Sequence, residues 1–558
     1  MSGWGWLCWT PCLDSGPVYP EPKSFSLPSS LPRWPQGGGF AKGRICIGEL
    51  EVVKITTFQK IWSSALLARK GSGATFYKPT GIPDSFFSLG HYGQANDKPL
   101  HGFVLVARDV EASREIIGSS SHTRLPALEK PLDYTLVWCS NFGRNCYLGS
   151  CGYFWLPLPP EGYKTLGYVV TTSPKKPSLE EIRCVRSDLT ETCETHEMIC
   201  SLEEEFLVFQ VRNARPCHRG IWSNGLPVGT FSCTYINLGD EMEICCLKNS
   251  DSSLHAMPNL EQINALIHHY GPTLFFHPKE MYLPSSVSWF FKNGATLYKK
   301  GETLGESIEV DGSNLPSGGT NDGEYWIDLP NDDRKSYVKH GSLESAELYA
   351  HVKPALGGTF TDIAMWVFCP FNGPATLKIG VLNISMSKIG QHVGDWEHFT
   401  LRISNFMGEL WSIYFSQHSG GEWVDASGLE YIADNKAIIY SSKSGHASYP
   451  HPGNYLQGSE KLSIGVRNDA AQSMLSVDSS SKYQIIAAEY LGNIVSEPSW
   501  LQFMREWGPK VSYSSRSELN KILSFLPMNI RFSVESIFKK LPMELYGLRR
   551  TDRTKGEE

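Results

Sequence analysis

The sequence predicts a mainly β fold with two domains, and its length and composition support this. The chain has 558 residues, of which 12% are aromatic, so it is long enough for two to four domains of roughly 150 residues and can build their cores. Its 51 Gly and 34 Pro separate short apolar runs, a pattern typical of strands and turns. The net charge of −7 counts against a general nucleic-acid binder, and we expect no nucleic-acid partner.

The first half divides into a leader and a domain of short strands. Residues 1–40 are rich in Pro, Gly and Ser, so we expect a disordered leader there. Apolar runs such as HGFVLVARDV and FLVFQVRNA predict strands over 41–247. Two segments, 82–90 and 158–167, each run from Pro through an aromatic residue to Leu-Gly and precede an apolar strand. This repeat predicts a pseudo-symmetric, β-prism-like domain.

The second half begins after a polar linker predicted over 248–258. A helix follows, since Asn259 can cap it and Gln262 can complete a capping box. Its apolar face consists of Leu260, Ile263, Leu266, Ile267 and Tyr270. Later segments alternate apolar and polar residues, so we predict a β-sandwich with peripheral helices over 259–510. Residues 511–558 carry more Lys and Arg than Asp and Glu, and we expect a helical basic tail.

Targeting signals are not evident in the sequence. No stretch reaches the roughly 18 apolar residues that a membrane span needs. The first residues, MSGWGWLCWTPCLD, lack the basic start and the long apolar run of a secretory signal. The 14 cysteines form no CxxC pair of the kind found in zinc fingers. We therefore expect a cytoplasmic protein.

The segment QHVGDWEH, residues 391–398, is the strongest candidate for a functional site. Side chains alternate along a strand, so Asp395 and Glu397 share one face, and a preceding turn can bring His392 to the same side. Two carboxylates and an imidazole this close need partners, and such donors suit Mg²⁺, Ca²⁺ or Mn²⁺. A buried cluster of hydrogen bonds and ion pairs, with Arg402 as a partner, is the alternative.

Two loops rich in Gly and Pro, QHSGG and SGHASYPHPG, carry further histidines. With neighbours of the acidic pair they form a candidate lipid- or substrate-binding surface of Trp396, His398, His418, His446 and His451. In an alternative hydrolase of phosphoesters or glycans, the carboxylates would hold a metal that activates water, and His446 or His398 would move protons. These imidazoles can equally serve only to satisfy turns. The common GxSxG, HExxH and GxxxxGK[ST] motifs are missing.

Several longer phrases indicate a family. They read SFSLPSSLPRWPQGGGFAKGRICIGELEVVKITTFQKIW, GPTLFFHPKEMYLPSSVSWFF, FCPFNGPAT, HVGDWEHFTLRIS and YSSKSGHASYPHPG. Over roughly residues 24–510 the chain resembles the vacuolar protein sorting-associated protein 62 family, especially its plant branch of unknown function. The resemblance implies a role in vacuolar or endosomal trafficking but supplies no reaction, because that family has no settled biochemical activity.

The acidic segment is also similar to the Gly-His-Arg-His-Asp-Trp-Glu motif of necrosis- and ethylene-inducing-like proteins. Those proteins are β-sandwich cytolysins that bind plant sphingolipids and hold a divalent cation. The resemblance implies that Trp396 packs and that Mg²⁺ or Ca²⁺ binds to His392, Asp395, Glu397 and, in place of a further Asp, Asn372. Val393 and Gly394 stand where the motif has Arg and a second His.

The first half is also similar, through its Pro, Gly-Tyr and Leu-Gly units, to the β-prism membrane-binding domains of multivesicular-body sorting subunits. Together the resemblances imply a protein peripheral to an endomembrane or vacuolar membrane. It would bind sphingolipid or phosphoinositide headgroups through the cation site, and the first half would add a second weak contact. A membrane-damaging cytolysin is a further alternative.

Overall fold

The computed structural model divides the chain into two compact units. It describes residues 23–64, 73–110, 125–140, 151–202, 206–214, 224–235, 244–386, 388–418, 420–510, 523–524 and 527–538. Unit 1 comprises Met1–Ser26 and Gly43–Ser253, and unit 2 comprises Leu27–Lys42 and Leu254–Glu558. In these described ranges no helix is both long and apolar enough to cross a membrane.

Unit 1 is built from short antiparallel sheets around an aromatic core. Phe154 is fully buried there, with the rings of Phe76 and Trp138 at 4.8 and 5.3 Å. One sheet has four strands, in the spatial order β1 (Ile45–Cys46), β2 (Leu50–Ile55), β7 (Val104–Asp109) and β5 (Phe87–Ser88). Three sheets have three strands each: β3 (Phe58–Ser63), β4 (Ala74–Pro79) and β6 (Tyr92–Ala95) in the first; β12 (Val169–Thr171), β10 (Tyr153–Leu158) and β9 (Asp133–Cys139) in the second; and β11 (Tyr163–Lys164), β13 (Cys184–Arg186) and β8 (Leu128–Glu129) in the third. The last sheet has five strands, in the order β16 (Gly225–Leu226), β18 (Cys245–Lys248), β14 (Thr190–Leu202), β15 (Phe206–Asn213) and β17 (Phe231–Tyr235).

The two similar segments of unit 1 have the same local geometry. The Ser88 hydroxyl donates to the carbonyl of Gly90 at 3.0 Å, and the Thr165 hydroxyl donates to the carbonyl of Gly167 at 3.3 Å. The two glycines lie so close that a Cβ on Gly90 would be 2.8 Å from the Cα of Gly167. The mainly β fold is therefore confirmed, and the repeat has a structural counterpart; the β-prism architecture stays a prediction.

Unit 2 is organised around a six-stranded sheet in which only the edge strand Tyr483–Ala487 runs parallel to its neighbour, Leu348–Ala355. In spatial order the strands of this six-stranded sheet are β29 (Gly420–Asp425), β28 (Glu409–Gln417), β27 (His392–Ser404), β24 (Phe360–Asn372), β23 (Leu348–Ala355) and β36 (Tyr483–Ala487). A second sheet has the order β30 (Tyr431–Ala433), β31 (Lys436–Ser441), β19 (Thr273–Phe276) and β35 (Ser476–Asp478), with β32 (Ser448–Tyr449) beside β31. Two smaller sheets have the orders β26 (Leu382–Ser385), β25 (Thr376–Ile379), β34 (Ile464–Ala470), β33 (Gly453–Ser459), and β21 (Glu306–Ser307), β20 (Thr296–Lys299), β22 (Tyr325–Asp328).

The helices of unit 2 lie around these sheets. In the described ranges they are α1 (Leu260–Tyr270), α2 (Val287–Lys292), α3 (Lys335–His340) and α4 (Met528–Phe538). The predicted capping box of α1 is confirmed, because Asn259 Oδ1 accepts from the Gln262 amide at 2.9 Å and Gln262 Oε1 accepts from the Asn259 amide at 2.8 Å. Its apolar face joins one core with the six-stranded sheet and the sheet of β19 and β31. The helix α4 lies within the predicted tail, most of which is outside the described residues.

Part of the predicted leader belongs to the core of unit 2. Trp34 is only 9% exposed, and its indole Nε1 donates to the carbonyl of Met407 at 2.9 Å. The Gln262 side chain donates to the carbonyls of Pro35 and Gly37 at 2.8 and 3.0 Å. The expectation of disorder therefore does not hold for this stretch, because one buried indole can anchor a segment whose overall composition is turn-like. Residues 1–22 lie outside the described residues.

Replacing Trp34 with Ala is expected to lower the free energy of unfolding of unit 2 by about 3 to 5 kcal/mol, since a large buried ring is lost. Urea unfolding of the full chain, followed by circular dichroism, measures the change. Leu304→Ala is the control, because Leu304 is 83% exposed and its loss is expected to cost less than about 0.5 kcal/mol. Equal stability of the Trp34→Ala variant and the wild type would contradict the observed packing of this segment.

Candidate functional site

The candidate site lies where β24 and β27 pair. Asn372, the last residue of β24, is directly opposite His392, the first residue of β27. The alternation along β27 is broken at Gly394, whose φ is +69°. A Cβ at Gly394 would collide with the carbonyl oxygen of Trp507, so this backbone needs glycine. As a result His392 and Asp395, three residues apart, line the same cavity.

This cavity, which we call the acidic pocket, has a volume of about 100 Å³. Of the nine side chains proposed from the sequence, it brings five together, namely Asn372, His392, Asp395, Glu397 and His418. Lys443, Ser444, Arg467 and Asn468 also line it, and sequence reasoning missed them. Lys443 and Ser444 come just before His446, at a loop whose histidines and glycines already mark it in the sequence. Arg467 and Asn468 lie in the strand sequence GVRNDA, which shows no local sign of a functional site.

His446 lies behind the acidic pocket rather than in its lining and is only 2% exposed. Its Nδ1 is 2.7 Å from Asp395 Oδ2, and its Nε2 is 2.8 Å from the carbonyl oxygen of Tyr282. Since a carbonyl oxygen and a carboxylate only accept, both ring nitrogens carry protons. Burial disfavours the charged ring, but the Cys369 sulfur and the Asp395 carboxylate outweigh that effect and hold the pKa of His446 well above its ordinary value.

The pKa values of the two carboxyl groups in the acidic pocket are shifted in opposite directions. Burial alone would raise the pKa of Asp395, but the hydrogen bond from His446 and the nearby His392 lower it. Burial and then the charge of Asp395 raise the pKa of Glu397 well above its ordinary value. His392 Nε2 is 3.6 Å from Asp395 Oδ1, and His418 Nδ1 is 3.9 Å from Glu397 Oε1. The surroundings of the pocket therefore favour ionisation of Asp395 over ionisation of Glu397.

The side-chain oxygen of Asn372 is a buried acceptor that a ligand could use. The side-chain NH2 group of Asn372 donates to the carbonyls of Gly390 and Gly373, which fixes the amide. Its Oδ1 is buried and has no hydrogen-bond partner among the described residues. Two ligands of one metal ion lie roughly 3 to 4 Å apart, and His392 and Asp395 have that separation. Within the described ranges no group of three or more His, Cys, Asp or Glu side chains is arranged to hold an ion. The cation site therefore stays a prediction.

Three of the proposed residues lie away from the acidic pocket. Trp396 and His398 alternate with its carboxylates and point to the other face of the sheet, where the rings of His398 and Trp366 are 4.4 Å apart. Burial and then Lys353 lower the pKa of His398 to about 4. His451 is exposed, and its Nδ1 is 2.8 Å from a Glu430 carboxylate oxygen.

Two contacts suggested for the sequence-based alternatives are not formed, although a buried ion pair of Asp395 and His446 is present. Arg402 does not pair with the acidic cluster, because its guanidinium donates to both carboxylate oxygens of Asp362 at 2.9 and 2.8 Å. Neither histidine suggested as a proton shuttle faces the acidic pocket. His446 lies behind the pocket, where its two ring nitrogens hydrogen-bond to Asp395 and to the carbonyl of Tyr282. His398 is on the opposite face of the sheet.

Comparison with known proteins places the chain in context. The family model described as vacuolar protein sorting-associated protein 62 matches residues 21–551. The vacuolar protein sorting-associated protein 62 of Saccharomyces cerevisiae is 25% identical over 293 residues, which cover 45% of this chain and 61% of that protein. The chain thus spans less than two thirds of that relative. The family resemblance seen in the sequence is confirmed.

Solved structures give a much weaker likeness. GNIP1Aa from Chromobacterium piscinae is 16% identical over 40% of each chain, with a TM-score of 0.28. The non-toxic HaNLP3 protein is 12% identical, covers 42% of this chain and 79% of its own, and has a TM-score of 0.22. Necrosis and Ethylene inducing Protein 2 from the causal agent of cocoa's Witches Broom disease is also 12% identical, with coverages of 47% and 91% and a TM-score of 0.22. Likeness at this level carries no argument about function.

The close approach at Gly394 can be tested against a matched glycine. Gly394→Ala is expected to lower the free energy of unfolding by more than the roughly 1–2 kcal/mol that a left-handed conformation costs a non-glycine residue, because the new methyl group also collides with Trp507. Gly380 has a φ of +59° with nothing within 4 Å of an added Cβ, so Gly380→Ala isolates the conformational cost. Equal losses in urea unfolding of the two variants would contradict the close approach.

Proposed function

Because the chain belongs to the vacuolar protein sorting-associated protein 62 family, we propose that it acts in vacuolar or endosomal sorting by binding an anionic lipid headgroup through a divalent cation. The observation that carries the proposal is the acidic pocket, which Asp395, Glu397, His392 and Asn372 line together. The amide oxygen of Asn372 is buried there and has no partner among the residues that the structure describes. In this proposal the protein attaches to the membrane peripherally.

The charge balance of the acidic pocket favours a cation. Burial and the neighbouring Asp395 raise the pKa of Glu397, and a divalent ion between the two carboxylates would favour ionisation of both. The hydrogen bond from His446 occupies Oδ2 of Asp395 and leaves Oδ1 on the side of His392. Such a bond orients a carboxylate ligand from behind. The oxygen-rich donor set suits Mg²⁺ or Ca²⁺, and the bound ion would supply positive charge for a headgroup oxygen.

The other side of the acidic pocket favours an anionic group. Lys443 and Arg467 line it, and the guanidinium of Arg467 is held by Asp469 at 2.5 Å and by Asn454 at 2.9 Å. A fixed guanidinium group and a nearby ammonium group can both bind phosphate. A cavity of about 100 Å³ accommodates a phosphate or sugar hydroxyls but not an acyl chain. We therefore propose a phosphoinositide or a phosphorylated sphingolipid as the ligand.

The cation site predicts metal binding that depends on Asp395. Wild-type protein is expected to bind about one Mn²⁺ per chain in calorimetric titration, with Mn²⁺ standing in for Mg²⁺ or Ca²⁺, and Asp395→Asn is expected to weaken binding by at least about tenfold. Glu430→Gln is the matched control, because Glu430 forms an exposed pair with His451. Absence of binding by the wild type, or equal affinity of the Asp395→Asn variant, would return the cluster to a purely structural role.

The headgroup proposal predicts flotation with anionic vesicles. More wild-type protein is expected to float with phosphatidylcholine vesicles that carry a phosphoinositide or a phosphorylated sphingolipid than with phosphatidylcholine alone. Chelation or Asp395→Asn should abolish this increment, because the ion then no longer bridges to the phosphate. Lys443→Ala should reduce the increment while Mn²⁺ binding persists, which separates headgroup contact from ion binding. An increment that is absent both with and without chelator contradicts the proposal.

A further inference from the structure

A second and larger cavity opens on the other face of the six-stranded sheet. Its volume is about 490 Å³, and we call it the tryptophan groove. Trp366 of β24 and Trp396 of β27 line it, together with Trp500 and Trp507 from the segment after β36. Because Trp396 alternates with Asp395 and Glu397, this groove is separate from the acidic pocket, and nothing in the proposed headgroup site uses it.

The indoles of the tryptophan groove hold one another in place. Trp396 stacks on Trp500 with 5.6 Å between ring centres, and Trp507 meets both edge-on at 5.3 and 6.0 Å. Trp366 is fixed separately, by the ring of His398 at 4.4 Å. Trp500 is buried, whereas the other three indoles are half-buried and contribute accessible surface to the groove. The aromatic lining is therefore preorganised for a ligand.

The groove also carries negative charge. Glu489 and Glu497 line it, and no Lys or Arg is among the described residues that do so. His351 Nε2 is 2.8 Å from Glu489 Oε1, and burial lowers the pKa of His351, so this ring does not cancel the carboxylate charge at neutral pH. Lys353, two residues further along β23, is outside the lining. An aromatic groove with two carboxylates is complementary to an organic cation.

We propose that the tryptophan groove binds a quaternary ammonium group of the choline type. Cations are attracted to aromatic faces, most strongly to that of tryptophan, and the two carboxylates supply the opposite charge. A primary ammonium has three N–H donors and is strongly hydrated; the two carboxylates can accept some of these donors, but the indole surfaces leave the rest unsatisfied. A trimethylammonium group has no N–H donor, and its methyl groups gain from apolar contact. The groove therefore selects the methylated cation over its primary counterpart.

The proposal is tested by titrating the full-length protein with choline chloride, following tryptophan fluorescence and heat, against sodium chloride at equal ionic strength. Saturable choline binding is expected, with ethanolamine about 3- to 10-fold weaker. The double variant Glu489→Gln/Glu497→Gln should bind choline about 3- to 10-fold more weakly, since it keeps the shape of the groove and loses its charge. Glu460→Gln, at an exposed glutamate outside the groove, is the matched control and should bind as the wild type does.

Trp366→Leu is a second variant that removes one aromatic wall without touching either carboxylate. It should weaken choline binding to a similar extent. Choline binding that does not saturate, or that is unchanged in both the double variant and Trp366→Leu, overturns the proposal. Because neither variant alters the acidic pocket, Mn²⁺ binding by both should stay at the wild-type level, so the two proposed sites fail or succeed separately.

The choline group can be free or part of a lipid, and vesicles distinguish these sources. Flotation is measured with phosphatidylcholine and with phosphatidylglycerol vesicles, both with chelator present so that the acidic pocket holds no divalent ion. If the protein floats with phosphatidylcholine but not with phosphatidylglycerol vesicles, and the double variant floats with neither, the groove binds the lipid headgroup. Saturable choline binding without such flotation assigns it to a soluble choline compound. Either result supports a quaternary ammonium site.

Discussion

The pairing of β24 with β27 is the constraint on which the rest of unit 2 depends. Strand alternation sends Asp395 and Glu397 to one face of the sheet and Trp396 and His398 to the other. The break at Gly394 returns His392 to the acidic face, next to its cross-strand partner. One strand of the six-stranded sheet thus supplies a polar pocket on one side and an aromatic groove on the other, and glycine is required where Trp507 approaches its backbone.

The charged groups in and behind the acidic pocket lose hydration free energy because they are buried. Asp395 and His446 form an ion pair that is almost excluded from solvent, and such pairs lose much of their attraction to desolvation. Glu280, also buried, lies 3.8 Å from the same imidazole and accepts the backbone amides of Met281 and Tyr282. This network fixes the orientation of the Asp395 carboxylate, as hydrogen-bonding partners do for a carboxylate that binds a metal ion.

Local sequence patterns predicted what local forces determine. The capping box of α1 and the alternation along β27 depend on neighbours in the chain, so both could be derived from spacing. The choice of Asn372 as a metal ligand follows from the resemblance to a family motif, not from spacing. The strand register places Asn372 directly opposite His392. By contrast, Trp34 packs against residues of the unit 2 core that are more than two hundred positions away in the chain. Arg467 lines the acidic pocket with Asn372, His392 and Asp395, which are more than seventy positions away. No spacing rule reveals such contacts.

We propose that Asp395, Glu397, His392 and Asn372 hold a divalent ion. Crystals of the full-length protein soaked in Mn²⁺ and measured at the manganese absorption edge test this site directly. One anomalous peak is expected in the acidic pocket, at about 2.0–2.6 Å from carboxylate oxygens of Asp395 and Glu397. A pocket without a peak in crystals that take up Mn²⁺ elsewhere would contradict it.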